Sequence, residues 1–369
     1  MNLQRLERLS AHLATAKVDA VALVPGPNLF YLTGLSFHLM ERPVVAIFPR
    51  SGDPVIILPE LEIGKLQQDE VGLRPFPYAE DEASRTAAFQ AAARSLKTLQ
   101  PRLAVEYRRM RLIELDLLEA AFQKVERANG DPLLYNLRAC KDERELEAMR
   151  EAVRIAEQAI RNAMPRLRAG VTEREFAAEI MLQSIRAGSD VELPFAPIVA
   201  FGPNSALPHA VPTERKLAHD ELVLLDWGAT CRGYASDVTR TYVAGEIDGR
   251  LRMAFEAVRA ANEAGRQAIG PGVSAEQVDR AARRVIREAG FGLQFVHRTG
   301  HGLGLEAHEE PYIREGNAEP LLPGMTFTVE PGVYLHGQGG IRIEDDVCVT
   351  EQGAEVLTSL PRGLQQVEA

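Results

Sequence analysis

Four acidic residues lie in or directly beside apolar segments with the length and composition of β-strands, and this placement strongly constrains the fold. They are Asp226, Asp237, Glu330 and Glu344. A carboxylate in an apolar strand is costly unless a positive charge lies close to it. The sequence therefore predicts strands that bring these acids together around a positively charged partner.

The first two acids flank a short segment with turn character. In an antiparallel hairpin, paired residues are equidistant from the turn. A turn centred between Cys231 and Arg232 predicts that Asp226 and Asp237 face each other on neighbouring strands. Two carboxylates at that distance repel unless one is protonated or a cation lies between them.

The second two acids repeat this arrangement around Gly337. A turn centred on that glycine predicts that Glu330 lies opposite Glu344. Arg342 then faces the same side of the sheet as Glu344, because side chains two residues apart on a strand point the same way.

A histidine-rich segment, 297–309, supplies the fifth candidate ligand. His301 lies between Gly300 and Gly302, and Gly304 follows. Glycines allow the backbone to approach a site closely. One imidazole and four carboxylates form a hard ligand set that suits manganese, cobalt or zinc. Two such ions about 3.5–4 Å apart can activate water and polarise a carbonyl group.

Each of these residues also has a simpler structural interpretation. Asp226 alone could cap a turn, the acidic run 344–346 could be a solvated edge, and the glycines could mark only a loop. All of these separate explanations would have to be true at once to account for both hairpins and His301. The metal site is therefore the favoured interpretation.

Three further histidines are candidate substrate or hydrogen-bonding groups. His209 follows a turn-rich loop, His297 lies four residues before His301, and His308 lies seven residues after it. A histidine beside a metal centre can donate a hydrogen bond to a carbonyl oxygen or a tetrahedral intermediate. A structural role is the alternative for each one taken alone.

Length and composition indicate a two-domain globular protein. The chain has 369 residues and a formal net charge of −10, which argues against a nucleic-acid partner. No apolar run approaches the roughly 18 residues needed to span a bilayer. The first helix is amphipathic rather than signal-like, and three widely spaced cysteines indicate no disulfide framework. A cytoplasmic protein without membrane contact is expected.

Hydrophobic patterns divide the chain in two. Residues 1–137 alternate between strand and helix patterns, which predicts an α/β domain. Residues 138–369 combine long helices with clustered strands, which predicts an α+β domain with helices covering a sheet. The boundary precedes the charged helix that opens near Cys140.

The whole chain resembles the proline-specific metallopeptidases of the pita-bread fold, which comprise Xaa-Pro dipeptidase (prolidase) and Xaa-Pro aminopeptidase (aminopeptidase P). Residues 27–34 are similar to their creatinase-like N-terminal domain. The catalytic motifs that carry the resemblance are 204–209, 225–229, 236–241, 300–304, 329–334 and 341–344. Phe201 and Ala210 depart from the family pattern near the expected pocket.

The resemblance implies a metal centre and a set of catalytic groups. Two divalent ions, most often manganese, with cobalt or zinc as alternatives, would be held by Asp226, Asp237, His301, Glu330 and Glu344. A metal-bridging hydroxide would attack the carbonyl before proline. Glu330 would also transfer a proton, and His308 would stabilise the oxyanion. His209 and His297 would position the substrate, and Arg342 and Tyr334 would support the site. The resemblance also implies a homodimer.

Several functions remain open at this stage. A dipeptidase is favoured over an aminopeptidase P that cleaves longer peptides, partly because His38 could reach the site of a neighbouring subunit. An ordinary surface loop is at least as good an interpretation of His38. A metal-free creatinase-like hydrolase and a non-catalytic binding module are more distant alternatives, since neither needs five metal ligands. Neither the residue preferred before proline nor the substrate length follows from the sequence.

Overall fold

A computed structural model describes residues 2–68, 71–96 and 100–368, and the chain divides into two compact units, Met1–Arg138 and Ala139–Ala369. The α-helices described are α1 (Asn2–Ala16), α2 (Pro27–Thr33), α3 (Glu82–Ser95), α4 (Leu112–Ala121), α5 (Asp131–Arg138), α6 (Glu143–Ala163), α7 (Glu173–Arg186), α8 (Gly249–Gln267) and α9 (Ala275–Glu288). Short 3-10 helices cover Glu60–Gln68, Met164–Arg166, Gly202–Ala206 and Gly292–Gln294.

The described strands fall into five sheets. In the first unit they are β1 (Ala20–Leu23), β2 (Val45–Pro49), β3 (Val55–Pro59), β4 (Arg74–Tyr78), β5 (Arg102–Val105) and β6 (Glu126–Asn129). In the second unit they are β7 (Ile198–Phe201), β8 (Glu221–Trp227), β9 (Thr230–Cys231), β10 (Tyr234–Ala235), β11 (Val238–Ala244), β12 (Gly300–Gly302), β13 (Glu309–Ile313), β14 (Thr326–Val329), β15 (Gly332–Leu335), β16 (Gly339–Arg342), β17 (Asp345–Thr350), β18 (Gly353–Val356) and β19 (Gln365–Val367).

The first unit is built on one mixed sheet with the strand order β4-β3-β2-β1-β5-β6. Strand β2 runs antiparallel to β1 and β3, whereas β5 runs parallel to β1 and β6. Apolar side chains of the sheet pack against α3 and α4, with Phe89 and Leu118 fully buried among them. Helix α2 ends at Gly34, whose φ of 73° allows the left-handed cap that other residues adopt only with strain. The unit is the expected α/β fold.

The described part of the second unit combines mainly antiparallel sheets with four long helices, and β19 alone among its described strands pairs in parallel, with β11. One sheet has the order β19-β11-β8-β7, and another has the order β13-β12-β14-β17-β18. Helices α6 and α7 pack on the first sheet around Trp227 and Phe176. Helices α8 and α9 pack against β15 and β16 around Phe255 and Ile341. This is the expected α+β arrangement, in which helices cover sheets whose strands carry or flank the four acids.

The hairpin of β8 and β11 differs in register from the prediction. Asp226 lies opposite Thr239 rather than opposite Asp237. The turn is centred one residue later, between Arg232 and Gly233, because both have positive φ, 53° and 82°, as a two-residue type I′ turn requires. Asp237 is therefore a diagonal neighbour of Asp226 on the same face of the sheet.

The second hairpin has the predicted register. Gly332 lies opposite Arg342 in the β15–β16 ladder. Val329 lies opposite Asp345 in the β14–β17 ladder, and both ladders share one register centred on Gly337. Glu330 and Glu344 thus occupy facing positions in the gap between the two ladders.

Backbone donors in this gap bond to other parts of the unit. The Glu330 N–H donates to the carbonyl of Thr299 at 2.7 Å, and the Glu344 N–H donates to the carbonyl of Thr239 at 3.1 Å. These two hydrogen bonds connect the second hairpin to the first hairpin and to the segment before His301.

Within the described ranges, no helix combines the length and the apolar character that crossing a bilayer requires. The three cysteines are free thiols.

Candidate metal centre

A cavity of about 760 Å³ in the second unit collects nearly all the residues singled out from the sequence. Its lining includes the five candidate ligands, Asp226, Asp237, His301, Glu330 and Glu344, together with His209, His297, His308 and Arg342. Tyr334 is the one predicted site residue that is not part of the lining. An apolar wall completes the cavity, formed by Pro194, Phe195, Ala196, Ile198, Pro208 and Ala307.

The five candidate ligands fall into overlapping clusters of the size that a metal ion needs. Atoms that could serve as ligands lie within 4.8 Å of one another in the group of Asp226, Asp237 and Glu344, and also in the group of His301, Glu330 and Glu344. His301 Nε2 is 3.4 Å from Glu330 Oε1 and 3.7 Å from Asp237 Oδ2. Glu344 belongs to both clusters, so two neighbouring cations could share it.

The acids are buried without enough positive charge to balance them. Burial, followed by repulsion from neighbouring acids, raises the pKa values of Asp237 and Glu344 well above their ordinary range. Burial also raises the pKa of Glu330 to about 7. The Oδ1 atoms of Asp226 and Asp237 are buried and lack hydrogen-bond partners. Clustered carboxylate oxygens without hydrogen-bond partners suit divalent cations. Bound cations would offset both the repulsion between the acids and the cost of burying unpaired oxygens.

His301 is held in the form that can bind a metal. Its Nδ1 lies 3.1 Å from the Gly302 carbonyl oxygen, and a proton donated there leaves the Nε2 lone pair facing the acids. Burial lowers the pKa of His301 well below its ordinary value, which keeps the ring neutral. A side chain at Gly300 would meet the Thr328 carbonyl oxygen at 1.8 Å. The close approach of the Thr328 backbone therefore explains why position 300 is a glycine, as the sequence predicted.

A chain of hydrogen bonds supports the acids from one side. Arg342 donates to Asp226 Oδ2 at 2.5 Å and to the Tyr334 hydroxyl at 2.8 Å. That hydroxyl lies 2.8 Å from His297 Nε2. Burial, reinforced by the positive charge of Arg342, lowers the pKa of His297 to about 4. A neutral His297 whose Nδ1 donates to the Arg298 carbonyl oxygen at 2.7 Å accepts the Tyr334 proton. The chain fixes the orientation of Arg342 toward Asp226.

The remaining two histidines are exposed residues of the cavity lining. The His308 ring lies 4.0 Å from the His301 ring, centroid to centroid. One of its nitrogens also falls within 4.8 Å of ligand atoms of Asp237 and His301, so it lies beside the acid cluster. His209 lies at the end of the 202–209 loop and contributes to the lining with Pro208.

Comparison with known proteins assigns the chain to a family. Residues 147–351 match the model of metallopeptidase family M24, and residues 5–140 match the creatinase/prolidase N-terminal domain. The chain belongs to metallopeptidase family M24. A probable dipeptidase PepE of Mycobacterium tuberculosis is 38% identical over 370 residues, which cover 98% of this chain and 95% of that protein.

Solved structures of M24 peptidases have the same fold. A recombinant prolidase from Thermococcus sibiricus matches with a TM-score of 0.94 and 34% identity, covering 100% of this chain and 99% of that chain. An X-Pro aminopeptidase from Thermotoga maritima matches with a TM-score of 0.84 and 31% identity, covering 95% and 98%. The creatinase-like N-terminal domain, the pita-bread catalytic domain and the metallopeptidase class are therefore confirmed.

Some groups that shape this M24 site were not singled out from the sequence. Thr239 donates to Glu344 Oε2 at 2.5 Å and accepts from Arg342 Nε at 3.1 Å. The Asp237 N–H donates to Asp346 Oδ2 at 3.0 Å. Glu344, Asp345 and Asp346 are all buried, so the interpretation of 344–346 as a solvated edge was wrong. The spacing of Asp346, two residues after Glu344 in an extended apolar segment, was the signal that could have marked it.

The expectation for Phe201 also needs correction. Its side chain is fully buried in the apolar core around Trp227 and is not part of the cavity lining. Residue 201 therefore affects the support of the sheet, not the shape of the pocket.

The loop that carries His209 is fastened at both ends by one buried acid. Glu173 accepts hydrogen bonds from the Phe201 N–H at 2.8 Å, from Asn204 Nδ2 at 3.0 Å and from the Thr213 N–H at 2.9 Å. The carboxylate is fully buried and meets donors on both of its oxygens. It therefore holds the 202–213 loop in the shape that brings His209 to the cavity.

Replacing Glu173 with glutamine is expected to loosen this loop. The NH₂ group of glutamine would face N–H donors at a position where the carboxylate oxygen accepted their hydrogen bonds. Losing hydrogen bonds to a charged group costs about 1.5–3 kcal/mol. We expect a higher KM, a lower urea midpoint and an unchanged metal content. Glu179→Gln, on the same helix but bonded only locally to Gln183, is the matched control. An unchanged KM in Glu173→Gln would contradict a role of Glu173 in holding the substrate-binding loop.

Proposed function

We propose that this protein is an Xaa-Pro dipeptidase that uses two divalent metal ions. The observation that carries the proposal is the convergence of one neutral imidazole, three buried carboxylates and the partly buried carboxylate of Glu330 in a single cavity of an M24 peptidase. Glu344 is common to two of the clusters, which favours a pair of ions rather than one. The similarity to proteins named dipeptidase and prolidase supports the substrate class.

The hard oxygen-rich ligand set favours manganese, with cobalt or zinc as alternatives. When bound, the ions would supply an activated water molecule and polarise the carbonyl group before proline. Glu330, which lines the cavity beside His301, would accept a proton during the attack on the carbonyl carbon. It would then return this proton to the departing proline nitrogen.

Histidines of the lining would bind the substrate around the scissile bond. His308 lies beside the acid cluster, where a neutral ring can donate to the oxygen on which negative charge develops. His209 and His297 would position the substrate. Arg342, held by Asp226 and Tyr334, would keep the first acid oriented. We further propose a cytoplasmic homodimer, as the family resemblance implies.

Replacing His308 with alanine is expected to lower kcat by about 10²-fold or more, the usual cost of losing an oxyanion donor. Because His308 is proposed as a donor and not as a ligand, two metals per chain should remain, which metal analysis by mass spectrometry measures. Loss of a metal from His308→Ala would instead make His308 a ligand, and an unchanged kcat would remove its catalytic role.

A product assay tests the proposed function. Manganese-loaded protein is incubated with Ala-Pro, Ala-Pro-Ala and a longer Xaa-Pro peptide, and the products are separated by chromatography. Cleavage of Ala-Pro alone is the expected result. Cleavage of the longer peptides at their first bond would favour an aminopeptidase P, and the similarity to the Thermotoga maritima X-Pro aminopeptidase makes this the second candidate.

Chelation separates both candidates from metal-free catalysis. Removing divalent ions should stop turnover, and adding manganese should restore it. Full activity in metal-stripped protein would support a creatinase-like hydrolase. Absence of hydrolysis in protein shown to contain two metals would support a binding module.

A further inference from the structure

Helix α9 carries a buried ion pair and an exposed one, both joining residues four positions apart. In the buried pair, Arg283 donates to Asp279 through Nε to Oδ2 and through Nη2 to Oδ1, each at 2.8 Å. The side chains of Asp279 and Arg283 are 0% and 22% exposed. In the other pair, Arg280 is 54% exposed and lies 3.1 Å from Glu276. An exposed pair of this spacing supports the helix itself, so the burial of Asp279 and Arg283 indicates a further role.

Asp279 binds the segment that leads into His301. Its Oδ1 accepts a hydrogen bond from the Thr299 hydroxyl at 2.8 Å and another from the Thr299 N–H at 3.1 Å. That N–H is shared with the Ile313 carbonyl. Thr299 is fully buried, and its own carbonyl accepts the Glu330 N–H at 2.7 Å. Asp279 is thus connected through one residue, Thr299, to the backbone of a candidate metal ligand.

Arg283 binds the other end of the same segment. Its Nη2 donates to the His297 carbonyl at 2.9 Å, and its Nη1 donates to the Phe295 carbonyl at 3.3 Å. The guanidinium also lies over the Phe295 ring, 4.2 Å from the centroid. That ring meets the His297 ring edge-on, with 5.2 Å between centroids. The groups that Arg283 contacts therefore hold both the backbone of His297 and one side of its ring.

The residue between these two anchors, His297, lies at the catalytic cavity. It is part of the cavity lining, and its Nε2 lies 2.8 Å from the Tyr334 hydroxyl. That hydrogen bond fixes the ring only if the backbone behind the ring is fixed as well. A displacement of about 1 Å in a group that positions a substrate can lower the rate by about 10²-fold. The hold of α9 on segment 295–299 is therefore a condition for the geometry of the cavity.

We propose that Asp279 and Arg283 are positioning residues, which hold His297 and Thr299 in the geometry that substrate binding requires. This inference deepens the proposed function and rests on it. Neither residue is part of the described cavity lining, so both act through segment 295–299 and not on the substrate. Asp279 also orients Arg283, because it engages Nε–H and one N–H of Nη2. The remaining N–H of Nη2 and the Nη1 group then point to the two carbonyls.

Arg283→Lys separates position from charge. Lysine keeps a cation beside Asp279, so the buried carboxylate retains a partner, but one ammonium group cannot reproduce the fork that spans the carboxylate and two carbonyls. We expect KM for Ala-Pro to rise by roughly 10-fold or more, the usual effect of losing a hydrogen bond from a charged donor. The change in kcat should be smaller, and the thermal midpoint and metal content should stay close to those of the wild type.

An unchanged KM in Arg283→Lys would overturn the proposal. So would a loss of kcat alone that parallels a lower thermal midpoint, since a merely structural role predicts that result. Arg280→Lys alters the exposed pair of the same helix and is the matched control, which should leave KM and kcat unchanged. An equal rise of KM in Arg280→Lys would show a general effect of α9 and would also overturn the proposal.

Variants of Thr299 test the Asp279 end of the pair and decide the question if Arg283→Lys does not fold. Thr299→Val has nearly the same shape but lacks the hydroxyl that donates to Asp279, so it should raise KM. Thr299→Ser keeps a hydroxyl and should give a KM closer to that of the wild type. Equal KM values for the valine and serine variants would exclude positioning by Asp279.

Hydrogen exchange separates failure of this inference from failure of the proposed function, because it needs no turnover. In protein prepared with manganese, the amides of segment 295–301 should exchange faster in Arg283→Lys than in the wild type, and Arg280→Lys should match the wild type. Faster exchange confined to this segment supports the hold of the pair even if no Xaa-Pro peptide is cleaved. Exchange in Arg283→Lys equal to that of the wild type would overturn the inference even if Ala-Pro is hydrolysed.

Discussion

Turnover should be lost when His301 is replaced with alanine or Asp237 with asparagine. Both residues lie in the acid cluster, with His301 Nε2 3.7 Å from Asp237 Oδ2. Removing an outer-shell partner of a metal typically costs roughly 10- to 100-fold in affinity or activity, and removing a ligand itself should cost more. Steady-state kinetics and metal analysis on the same preparations would measure activity and stoichiometry together, and both should fall.

The asparagine variant also separates a metal site from a structural cluster. Without metals, the four clustered carboxylates repel one another, so Asp237→Asn should raise the thermal midpoint of the chelated protein. With manganese present, the wild type should become more stable through binding to the folded state, and the variant should gain much less. A wild type whose thermal midpoint does not respond to manganese would end the two-metal proposal.

His336→Ala is the matched control for these variants. This exposed histidine lies in the tight turn between β15 and β16, outside the cavity lining. It should change neither turnover nor metal content. Full activity of His301→Ala beside an unaffected His336→Ala would exclude His301 as a necessary ligand.

The ligand candidates could be found from sequence because each signal was local. An acid in an apolar strand is anomalous by itself, and the turn at Gly337 fixed the facing positions of Glu330 and Glu344 correctly. The predicted turn of the first hairpin was wrong by one residue, since the positive φ of Arg232 and Gly233 was not anticipated. A glycine that follows a residue able to adopt positive φ was the available signal for a type I′ turn.

Supporting groups could not be found in this way because their roles depend on distant contacts. Thr239 lies beside Arg342 and Glu344 only after two hairpins have packed together, more than a hundred residues apart in sequence. Glu173 opens a helix, which is ordinary for an acid, and only the folded chain brings Phe201 and Thr213 to it.

A buried ion pair near the end of this histidine segment should make a large contribution to stability. Lys141 Nζ lies 2.6 Å from Glu309 Oε1, and their side chains are 1% and 6% exposed. Glu309 directly follows His308, so the pair fastens the chain on which this histidine lies. Removing one partner of a buried pair leaves an uncompensated charge, at a cost of about 3–5 kcal/mol.

Lys141→Met should therefore lower the free energy of unfolding of the second unit by about 3–5 kcal/mol, as measured by urea denaturation. The double variant Lys141→Met with Glu309→Leu removes both charges and fills the site with apolar atoms, so it should recover much of that loss. Lys216→Met, a variant of an exposed lysine, is the matched control and should have little effect. A double variant no more stable than Lys141→Met would show that the cost comes from lost packing of the lysine chain rather than from loss of the cation beside Glu309. Only the electrostatic explanation predicts recovery when the second charge is removed.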